Sequence, residues 1–210
     1  MTAMFEILTV CTGNICRSPL AEQVLRARLS DLPRVSVASA GVYSLTGRPM
    51  TPEAAALSAE FGGLGAEHHI ARDLTPAMID GGGLIFAMSR DHRRSIVEMR
   101  PRATRITFTL REFARLSDGI SDDELVDVAA LPLDSVSERL TELVRAVTAR
   151  RGLVERPLDA AEDDIVDPYR RSEAVYRESA AQLVPAAEIA ARVIRRAASL
   201  TTSATPAGLV

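Results

Sequence analysis

The chain has 210 residues and carries 25 basic against 28 acidic side chains, which gives a formal net charge of −3. This balance does not favour nucleic acid or an anionic membrane as a partner. Aromatic residues make up 4% of the chain and tryptophan is absent, so platforms for stacking bases are few. No apolar run approaches the roughly 20 residues of a membrane span. We therefore expect an ordinary globular protein with neither nucleic acid nor membrane as a partner.

The N-terminal stretch MTAMFEILTVCTGN lacks the basic region of a signal peptide. Cleavage there would also remove the motif described below, so we expect a cytoplasmic protein. The two cysteines, Cys11 and Cys16, are too few and too close for a secreted disulfide framework. The histidines, His68, His69 and His92, show no ligand spacing. Neither a metal nor an organic cofactor is expected.

Short apolar stretches alternate with stretches of helical periodicity through the first 116 residues. This alternation predicts an α/β fold in which a four-stranded parallel sheet carries helices on both faces. Ligands of such sheets bind at the carboxyl ends of the strands, and Cys11 stands at the end of the first one. The predicted strands are 5–10, 34–41, 83–89 and 104–110. Four helices are predicted in this part of the chain: one that starts at Ser18, one over 51–63 with Thr51 as N-cap, one from Arg90 to a stop at Pro101, and one over 111–116.

Residues 117–163 interrupt this alternation and look like an insertion into a single domain of residues 1–200. Within them, 134–152 predicts an amphipathic helix with an apolar stripe and a capping box formed by Ser135 and Glu138. The insertion is either an extra helix packed on the surface or a lid or docking element, because it ends shortly before the candidate acid. A long helix over 171–200 follows, and 201–210 is predicted to be a disordered tail.

The segment CTGNICRS, residues 11–18, joins the first strand to the first helix. Backbone N–H groups in such a loop, together with the positive end of the helix, can cradle an anion. Gly13 tolerates unusual dihedral angles, and Asn14 can adopt left-handed ones. Arg17 adds a planar two-pronged donor that suits phosphate. The segment therefore predicts a site for a phosphate-like dianion.

Cys11 stands at the base of this cradle. The groups that favour a dianion also favour a thiolate, which is the nucleophilic form of cysteine. A thiolate beneath a bound phosphate is aimed at phosphorus, whereas the plain alternative is a buried, inert thiol at a strand end. The phosphate loop of nucleotide hydrolases, GxxxxGK[ST], is absent. The Cys11-x5-Arg17 spacing between a strand and a helix favours the nucleophile.

The pattern C-x-G-N-x-C-R-S-P, complete at residues 11–19, resembles the phosphate-binding loop of the low-molecular-weight protein tyrosine phosphatases. The resemblance implies their phosphotyrosine phosphatase I-like fold and hydrolysis of phosphotyrosine through a phosphocysteine intermediate. It implies that Cys11 is the nucleophile and that Arg17 clamps the phosphate and the transition state. Phosphate or sulfate is expected in the loop, whose remaining members are Thr12, Gly13, Asn14, Ile15, Cys16 and Ser18.

The same resemblance assigns supporting roles around the loop. It implies that Asn14 holds the loop in shape and that Ser18 donates a hydrogen bond to the sulfur, which helps the sulfur leave in the second step. Ser39, in Ser-Ala-Gly, matches the serine that supports this asparagine, and His69 matches a histidine of the support network. Where the family usually has an aspartate after the third strand, this chain has Ser89. The resemblance therefore assigns no charged partner to His69.

A phosphatase of this kind also needs an acid for the leaving oxygen and then a base for water. Pro168 pushes Asp167 toward an extended conformation, which suits a loop side chain that must be aimed. Alone, an Asp-Pro pair is commonly just a turn. Asp167-Pro168-Tyr169 matches the D-P-[YF] motif that carries the general acid in the resembled family. Asp163 and Asp164 are expected to be solvated loop charges.

The run DPYRRS resembles the bacterial members linked to exopolysaccharide tyrosine kinases. Phosphotyrosine proteins, and among them a bacterial tyrosine kinase of polysaccharide export, are therefore the expected partners. Tyr169 is expected to line the cleft and stack on the substrate ring. His68 and His92 are expected at the surface.

Three rival functions stand beside the tyrosine phosphatase. Arsenate reductases share the fold and the loop but relay a disulfide through further cysteines, which this chain lacks. Arginine phosphatases resemble the same family but carry threonine at the position of Ile15, whose apolar side chain better suits an aromatic ester. A non-catalytic phosphoprotein-binding module would not need Asp167. Cys16 is either a core residue or the partner of Cys11 in a reversible protective disulfide.

Overall fold

A computed structural model of the chain describes residues 4–201. Four parallel strands form one sheet in the order β2-β1-β3-β4. The strands are β1 (Phe5–Cys11), β2 (Val35–Gly41), β3 (Leu84–Ala87) and β4 (Thr107–Thr109). The prediction of a four-stranded parallel α/β sheet is confirmed. The fourth strand is shorter than predicted because Pro101–Arg105 forms a 3-10 helix.

Eight α-helices surround the sheet within the described residues, and four of them begin behind a serine or threonine whose hydroxyl accepts a backbone N–H. The six-residue α3 was not predicted, because it is too short to show periodicity. No described helix is both long and apolar enough to cross a membrane. The helices are α1 (Arg17–Arg28), α2 (Pro52–Glu60), α3 (Pro76–Gly81), α4 (Arg90–Met99), α5 (Leu110–Ser117), α6 (Val126–Ala129), α7 (Val136–Ala149) and α8 (Glu173–Ser199).

Successive side chains of the strands point to opposite faces of the sheet and build two apolar layers. Ile7 and Phe86 belong to the larger layer, with side chains of α1, α5, α7 and α8. Leu8 and Ile85 belong to the smaller one, with Ile96 of α4 and residues of α3. The sheet is therefore covered on both faces, as predicted. Since β1 lies between β2 and β3, its carboxyl end is the point where the strand order reverses, which is where ligands bind in such sheets.

The segment of residues 118–163 adds α6 and α7 to the larger layer. The apolar stripe predicted for α7 is buried against α5 and α8. Arg139 on the same face is fully buried, and its guanidinium donates to the backbone oxygens of Ala197, Leu131 and Leu200. The predicted capping box at Ser135 is wrong, because its side chain accepts no capping hydrogen bond.

The long helix predicted over 171–200 is α8, which begins two residues later. The predicted disordered tail, 201–210, lies outside the described residues except for Thr201.

Candidate active site

The loop between β1 and α1 turns its carbonyl groups outward. The oxygens of Cys11, Thr12, Gly13 and Ile15 each accept a backbone N–H from the segment 42–51. The oxygen of Asn14 lies 2.7 Å from Nε2 of His69. Within residues 4–201, the N–H groups of residues 13, 15 and 16 have no backbone acceptor. With the N-terminus of α1 behind them, these N–H groups are free for an anion, as the sequence predicted.

One residue of this loop adopts a left-handed conformation. Asn14 has φ of 54°, whereas Gly13 does not have a positive φ. Asn14 thus adopts the left-handed conformation that the sequence allowed, whereas Gly13 does not use its freedom to take a positive φ. The glycine that matters for close packing is Gly41 at the end of β2, where a Cβ would lie 2.4 Å from the Thr12 oxygen. Only glycine lets β2 pass this closely beneath the loop.

The sulfur of Cys11 is buried and has two polar neighbours. Its Sγ lies 3.0 Å from Oγ of Ser18 and 3.3 Å from the backbone nitrogen of Asn14. The Asn14 amide donates to the same serine oxygen at 3.0 Å. The Ser18 hydroxyl has two acceptors within reach, the sulfur at 3.0 Å and the Ala40 oxygen at 3.4 Å, so a thiolate at Cys11 would have a donor beside it. The arrangement suits a thiolate that accepts hydrogen bonds.

A buried polar network fixes Asn14 in turn. Its amide nitrogen donates to Oγ of Ser39 at 2.9 Å, and its amide oxygen accepts the backbone N–H of Arg72 at 2.9 Å. Ser39 then donates to the carboxylate of Glu22, which also lies 3.8 Å from Nδ1 of His69. The charged neighbour of His69 is therefore Glu22 and not a residue after β3. A network in which each member has a partner holds one loop geometry.

Arg17 is 6% exposed and reaches two groups on the segment after the insertion. Its Nη1 donates to the oxygen of Ile165 at 3.1 Å, and its Nη2 pairs with Oδ2 of Asp167 at 2.8 Å. The Asp167 side chain is 53% exposed. The structure thus brings the predicted arginine and the predicted acid together, although 149 residues separate them in the sequence (positions 18–166).

Backbone contacts anchor the segment that carries Asp167. Ile165 donates its N–H to the oxygen of Met88, at the end of β3, at 3.0 Å. Val166 donates to the side chain of Gln182 on α8 at 2.9 Å. Asp167 accepts the N–H of Tyr169 at 3.2 Å, a local turn that Pro168 favours. These contacts fix where the carboxyl group sits.

The prediction that Asp163 and Asp164 are solvated charges is wrong. Asp163 forms a two-oxygen hydrogen bond with Nη2 of Arg115 at 3.0 and 3.1 Å. Asp164 accepts the backbone N–H of Arg90 at 2.6 Å, and its own oxygen accepts from Arg111 at 2.9 Å. The two aspartates tie the end of the insertion to α4 and α5, directly before the candidate acid.

A cleft of about 150 Å³ opens above the loop. Tyr43 and Leu45 line it and were not predicted as site residues; both follow β2, the strand beside β1, and that adjacency was the available signal. Asn14, Ser18, Ser39 and His69 lie outside this lining, in the network below. The other lining residues were all predicted: Cys11, Thr12, Gly13, Ile15, Cys16, Arg17, Asp167 and Tyr169.

The prediction that His92 lies at the surface is also wrong. Its side chain is buried, with Nε2 at 2.8 Å from Oγ1 of Thr12 and Nδ1 at 2.8 Å from Oγ of Ser89. Burial, and then the nearby Arg17, lowers the pKa of His92 to about 4. A neutral histidine therefore braces Thr12, the second residue of the loop. The hydrogen-bond partner of Ser89 is His92 and not His69.

Cys16 lies at the N-cap of α1, within the larger apolar layer. Its sulfur is 3.6 Å from Oγ1 of Thr51 and from the hydroxyl of Tyr176, and burial raises the pKa of this thiol. Both cysteines are free thiols. Among the described residues, no group of three histidine, cysteine or acidic side chains is arranged to hold a metal ion.

A parallel α/β sheet with an anion loop, a buried thiol and an arginine at its switch point defines a cysteine-dependent phosphatase. The chain belongs to the family of low molecular weight phosphotyrosine protein phosphatases, whose model matches residues 6–150. The predicted family, fold and enzyme class are confirmed. The match ends before Asp167, so the position of the acid rests on the structure.

Two relatives match this chain over most of their own length. A probable low molecular weight protein-tyrosine-phosphatase, EpsP of Ralstonia nicotianae, is 34% identical over 68% of this chain and 91% of the relative. A protein-arginine-phosphatase of Geobacillus stearothermophilus is 37% identical over 66% of this chain and 95% of the relative. The crystal structure of the low molecular weight protein tyrosine phosphatase from T. tengcongensis is 26% identical, covers 89% of this chain and 97% of its own, and superposes with a TM-score of 0.60.

Proposed function

We propose that this phosphatase hydrolyses phosphotyrosine in proteins, with Cys11 as nucleophile, Arg17 as phosphate clamp and Asp167 as acid and base. The observation that carries the proposal is the ion pair of 2.8 Å between Arg17 and Asp167 at the mouth of the cleft that Cys11 underlies. A nucleophile, a clamp and a proton donor thus share one cavity, whereas a binding module would need no proton donor.

In the first step, the Cys11 thiolate attacks phosphorus and the bond to the phenolic oxygen breaks. The free N–H groups of the loop and the Arg17 guanidinium hold the equatorial oxygens as charge builds on them. The protonated Asp167 gives its proton to the departing phenolate. A phosphocysteine and a free tyrosine side chain result.

In the second step, Asp167 is a carboxylate and takes a proton from water, whose oxygen attacks phosphorus. The phosphorus–sulfur bond breaks and inorganic phosphate is released. Ser18, 3.0 Å from the sulfur, donates a hydrogen bond to the departing thiolate and so makes it a better leaving group. No residue changes its net protonation over the cycle.

An aromatic ester suits the walls of the cleft. Ile15 is buried and apolar, Leu45 and Tyr43 face the same space, and Tyr169 is exposed enough to stack on a ring. The arginine phosphatases among the relatives make phosphoarginine the competing substrate. The apolar lining favours the phenyl ring over a guanidinium.

The test compares a phosphotyrosine peptide with a phosphoarginine peptide of the same sequence, in the presence of a chelator. Wild type is expected to release phosphate from the phosphotyrosine peptide, and Cys11→Ser to release none. The thermal unfolding midpoint of the variant shows that it is folded. Release mainly from phosphoarginine would overturn the tyrosine assignment and leave the cysteine chemistry standing. Binding of both peptides without release would favour a binding module.

We propose phosphotyrosine proteins as the partners and, among them, a bacterial tyrosine kinase of polysaccharide export. The run DPYRRS, residues 167–172, supports this narrower assignment, because it resembles the bacterial members linked to such kinases. A phosphotyrosine peptide from such a kinase should then be hydrolysed with a lower KM than a composition-matched phosphotyrosine peptide in scrambled order. Equal KM values would contradict a dedicated kinase partner.

A further inference from the structure

A second cavity, of about 400 Å³, lies between α4, α5 and the segment that follows α7. Its size is that of a small-molecule pocket. Five arginines and two carboxylates face it, together with Leu116, Pro157 and Ala160. The charged lining residues are Arg90, Arg93, Arg115, Arg151, Arg156, Glu112 and Asp163. We call this cavity the arginine pocket.

The two carboxylates do not neutralise the arginine pocket. Glu112 pairs with Arg151 at 2.9 Å, and Asp163 pairs with Arg115 at 3.0 Å. Arg90 and Arg156 are exposed, and neither side chain forms a hydrogen bond or ion pair within residues 4–201. The pocket therefore holds cationic donors with no protein acceptor.

Two further observations mark this surplus of positive charge. Burial lowers the pKa of Arg93 most, and the charge of Arg151 lowers it further; Glu112 opposes this shift, and Arg90 adds to it by a smaller amount. Nε of Arg115 is buried and has no acceptor within the described residues. A buried donor without an acceptor is costly, and an anion that draws the arginines together would relieve both the repulsion and the missing hydrogen bond.

The arginine pocket adjoins the segment that carries the acid. Asp163 is one of its walls, and Asp167 is four residues further on, so their Cα atoms are at most about 14 Å apart. Arg115 holds Asp163, and the backbone of Arg90 holds Asp164. An anion bound here competes with Asp163 for Arg115 and so acts on the chain that leads to the cleft.

We propose that the arginine pocket binds a small, multiply charged phosphate anion of the pyrophosphate type and that its occupation weakens the positioning of Asp167. Guanidinium groups bind phosphate oxygens in pairs, and clustered arginines favour more than one charge on the ligand. The concave shape favours a small anion over an extended peptide.

Binding is tested by titrating pyrophosphate into the full chain by calorimetry. The pocket variant is Arg90→Gln with Arg156→Gln, and the matched control is Arg94→Gln with Arg145→Gln, two exposed arginines outside the pocket. Both variants lose the same charge, and the catalytic loop is intact in all three proteins. The pocket variant is expected to lose one binding event or to weaken it by roughly tenfold or more. Equal binding to all three proteins would overturn the proposal.

Coupling is tested by kinetics at saturating pyrophosphate. Competition at the catalytic loop raises KM for every substrate, whereas an effect on Asp167 as the acid slows the first step only where the leaving group needs a proton. For phenyl phosphate, the rate of phenol release in the first turnover at saturating substrate is expected to fall by roughly threefold or more in wild type and control, and not in the pocket variant. For 2,4-dinitrophenyl phosphate the first-turnover rate is expected to hold. An unchanged first-turnover rate for phenyl phosphate in wild type would overturn the coupling.

A phosphoserine peptide provides the last arm. If it binds the arginine pocket more tightly than pyrophosphate does, the site is one for a phosphorylated protein, and the small-anion assignment is wrong.

Discussion

Arg17 and Arg139 are the two buried arginines among residues 4–201, and they are buried for different reasons. Arg17 contacts one backbone oxygen and a half-exposed carboxylate, and it faces an open cleft. Arg139 is fully buried and donates to three backbone oxygens, two of them near the carboxyl end of α8. Arg17 therefore has donors left for a ligand in the cleft, whereas the three hydrogen bonds of Arg139 all go to the backbone of its own fold.

The comparison separates a region that should govern rate from one that should govern stability. The region of Arg17 is a polar network that shapes a loop. The region of Arg139 is the apolar stripe of α7, in the segment 118–163, with the buried guanidinium as its one charged group. Changes near Arg17 should alter chemistry at nearly constant stability, and changes near Arg139 should do the reverse.

The largest effect is expected from Asp167→Asn, which keeps the shape of the Arg17 partner and removes the proton. With phenyl phosphate, kcat should fall by about 10³-fold, within the range for a general acid. With 2,4-dinitrophenyl phosphate, whose leaving group needs no proton, the first step should be nearly unaffected, as read from the burst of phenol release. Asp127→Asn, an exposed acid in the added segment, is the control. An equal loss of the first-step rate with both esters would show that Asp167 is not the acid.

Arg139→Met tests the other side of the comparison. The variant keeps an apolar stem in the core but leaves three backbone oxygens without their donor, so the free energy of unfolding should fall by about 3 kcal/mol. Urea unfolding measures the change. At 25 °C, kcat for phenyl phosphate should stay within about twofold of wild type while the variant is folded. A large loss of kcat in the folded variant would break the separation.

His92 belongs to the region of Arg17 and the loop, but it is also expected to affect stability. Its pKa in the folded protein, about 4, lies below the ordinary value of 6.5. The neutral form is thus favoured by folding: its contribution is complete above pH 6.5 and is lost as the pH falls toward 4. Between pH 7 and pH 5, the unfolding free energy should drop by up to about 2 kcal/mol more in wild type than in His92→Asn. Parallel urea titrations at the two pH values measure this, and identical drops would contradict it.

The smallest effect is expected from Ser18→Ala, beside the nucleophile. Without the hydroxyl, the sulfur is a poorer leaving group, so loss of phosphate from Cys11 should slow by roughly tenfold. Phosphoenzyme should then accumulate, as a burst of phenol followed by a slower steady state. Ser30→Ala, an exposed serine just past the carboxyl end of α1, is the control. A lower burst rate with no accumulation would place Ser18 in the first step instead.

The position of the loop and of the candidate acid in the cleft could be predicted because each lies in a contiguous motif whose chemistry is local. The spacing of Cys11 and Arg17 places both on one turn, and Asp167-Pro168 marks a rigid loop. The sheet was predictable for a similar reason, since apolar runs alternate with helical stretches. The fourth strand was predicted too long, because the sequence 104–110 does not show that its first residues belong to the 3-10 helix Pro101–Arg105.

The missed residues depend on which strands are neighbours. Tyr43 and Leu45 reach the cleft because β2 lies beside β1, and His92 reaches Thr12 because β3 lies on the other side. Their own sequences carry no motif. Asp163 was misjudged because its partner, Arg115, lies 48 positions away in the sequence on α5. Strand order and long-range pairing are tertiary properties that a local pattern does not contain.

The clamps on Asp164 and Ile165 have a consequence for how the chain can change length. Asp163 is held by Arg115, Asp164 by the start of α4 and Ile165 by the end of β3, so the Asp167 carboxyl takes its position from these three contacts and not from the loop ahead of them. Lengthening a closed loop costs only about 0.6 kcal/mol for each doubling. The join ahead of Asp163 is therefore a splice point, at which whole modules can be exchanged while the contacts that position Asp167 are kept.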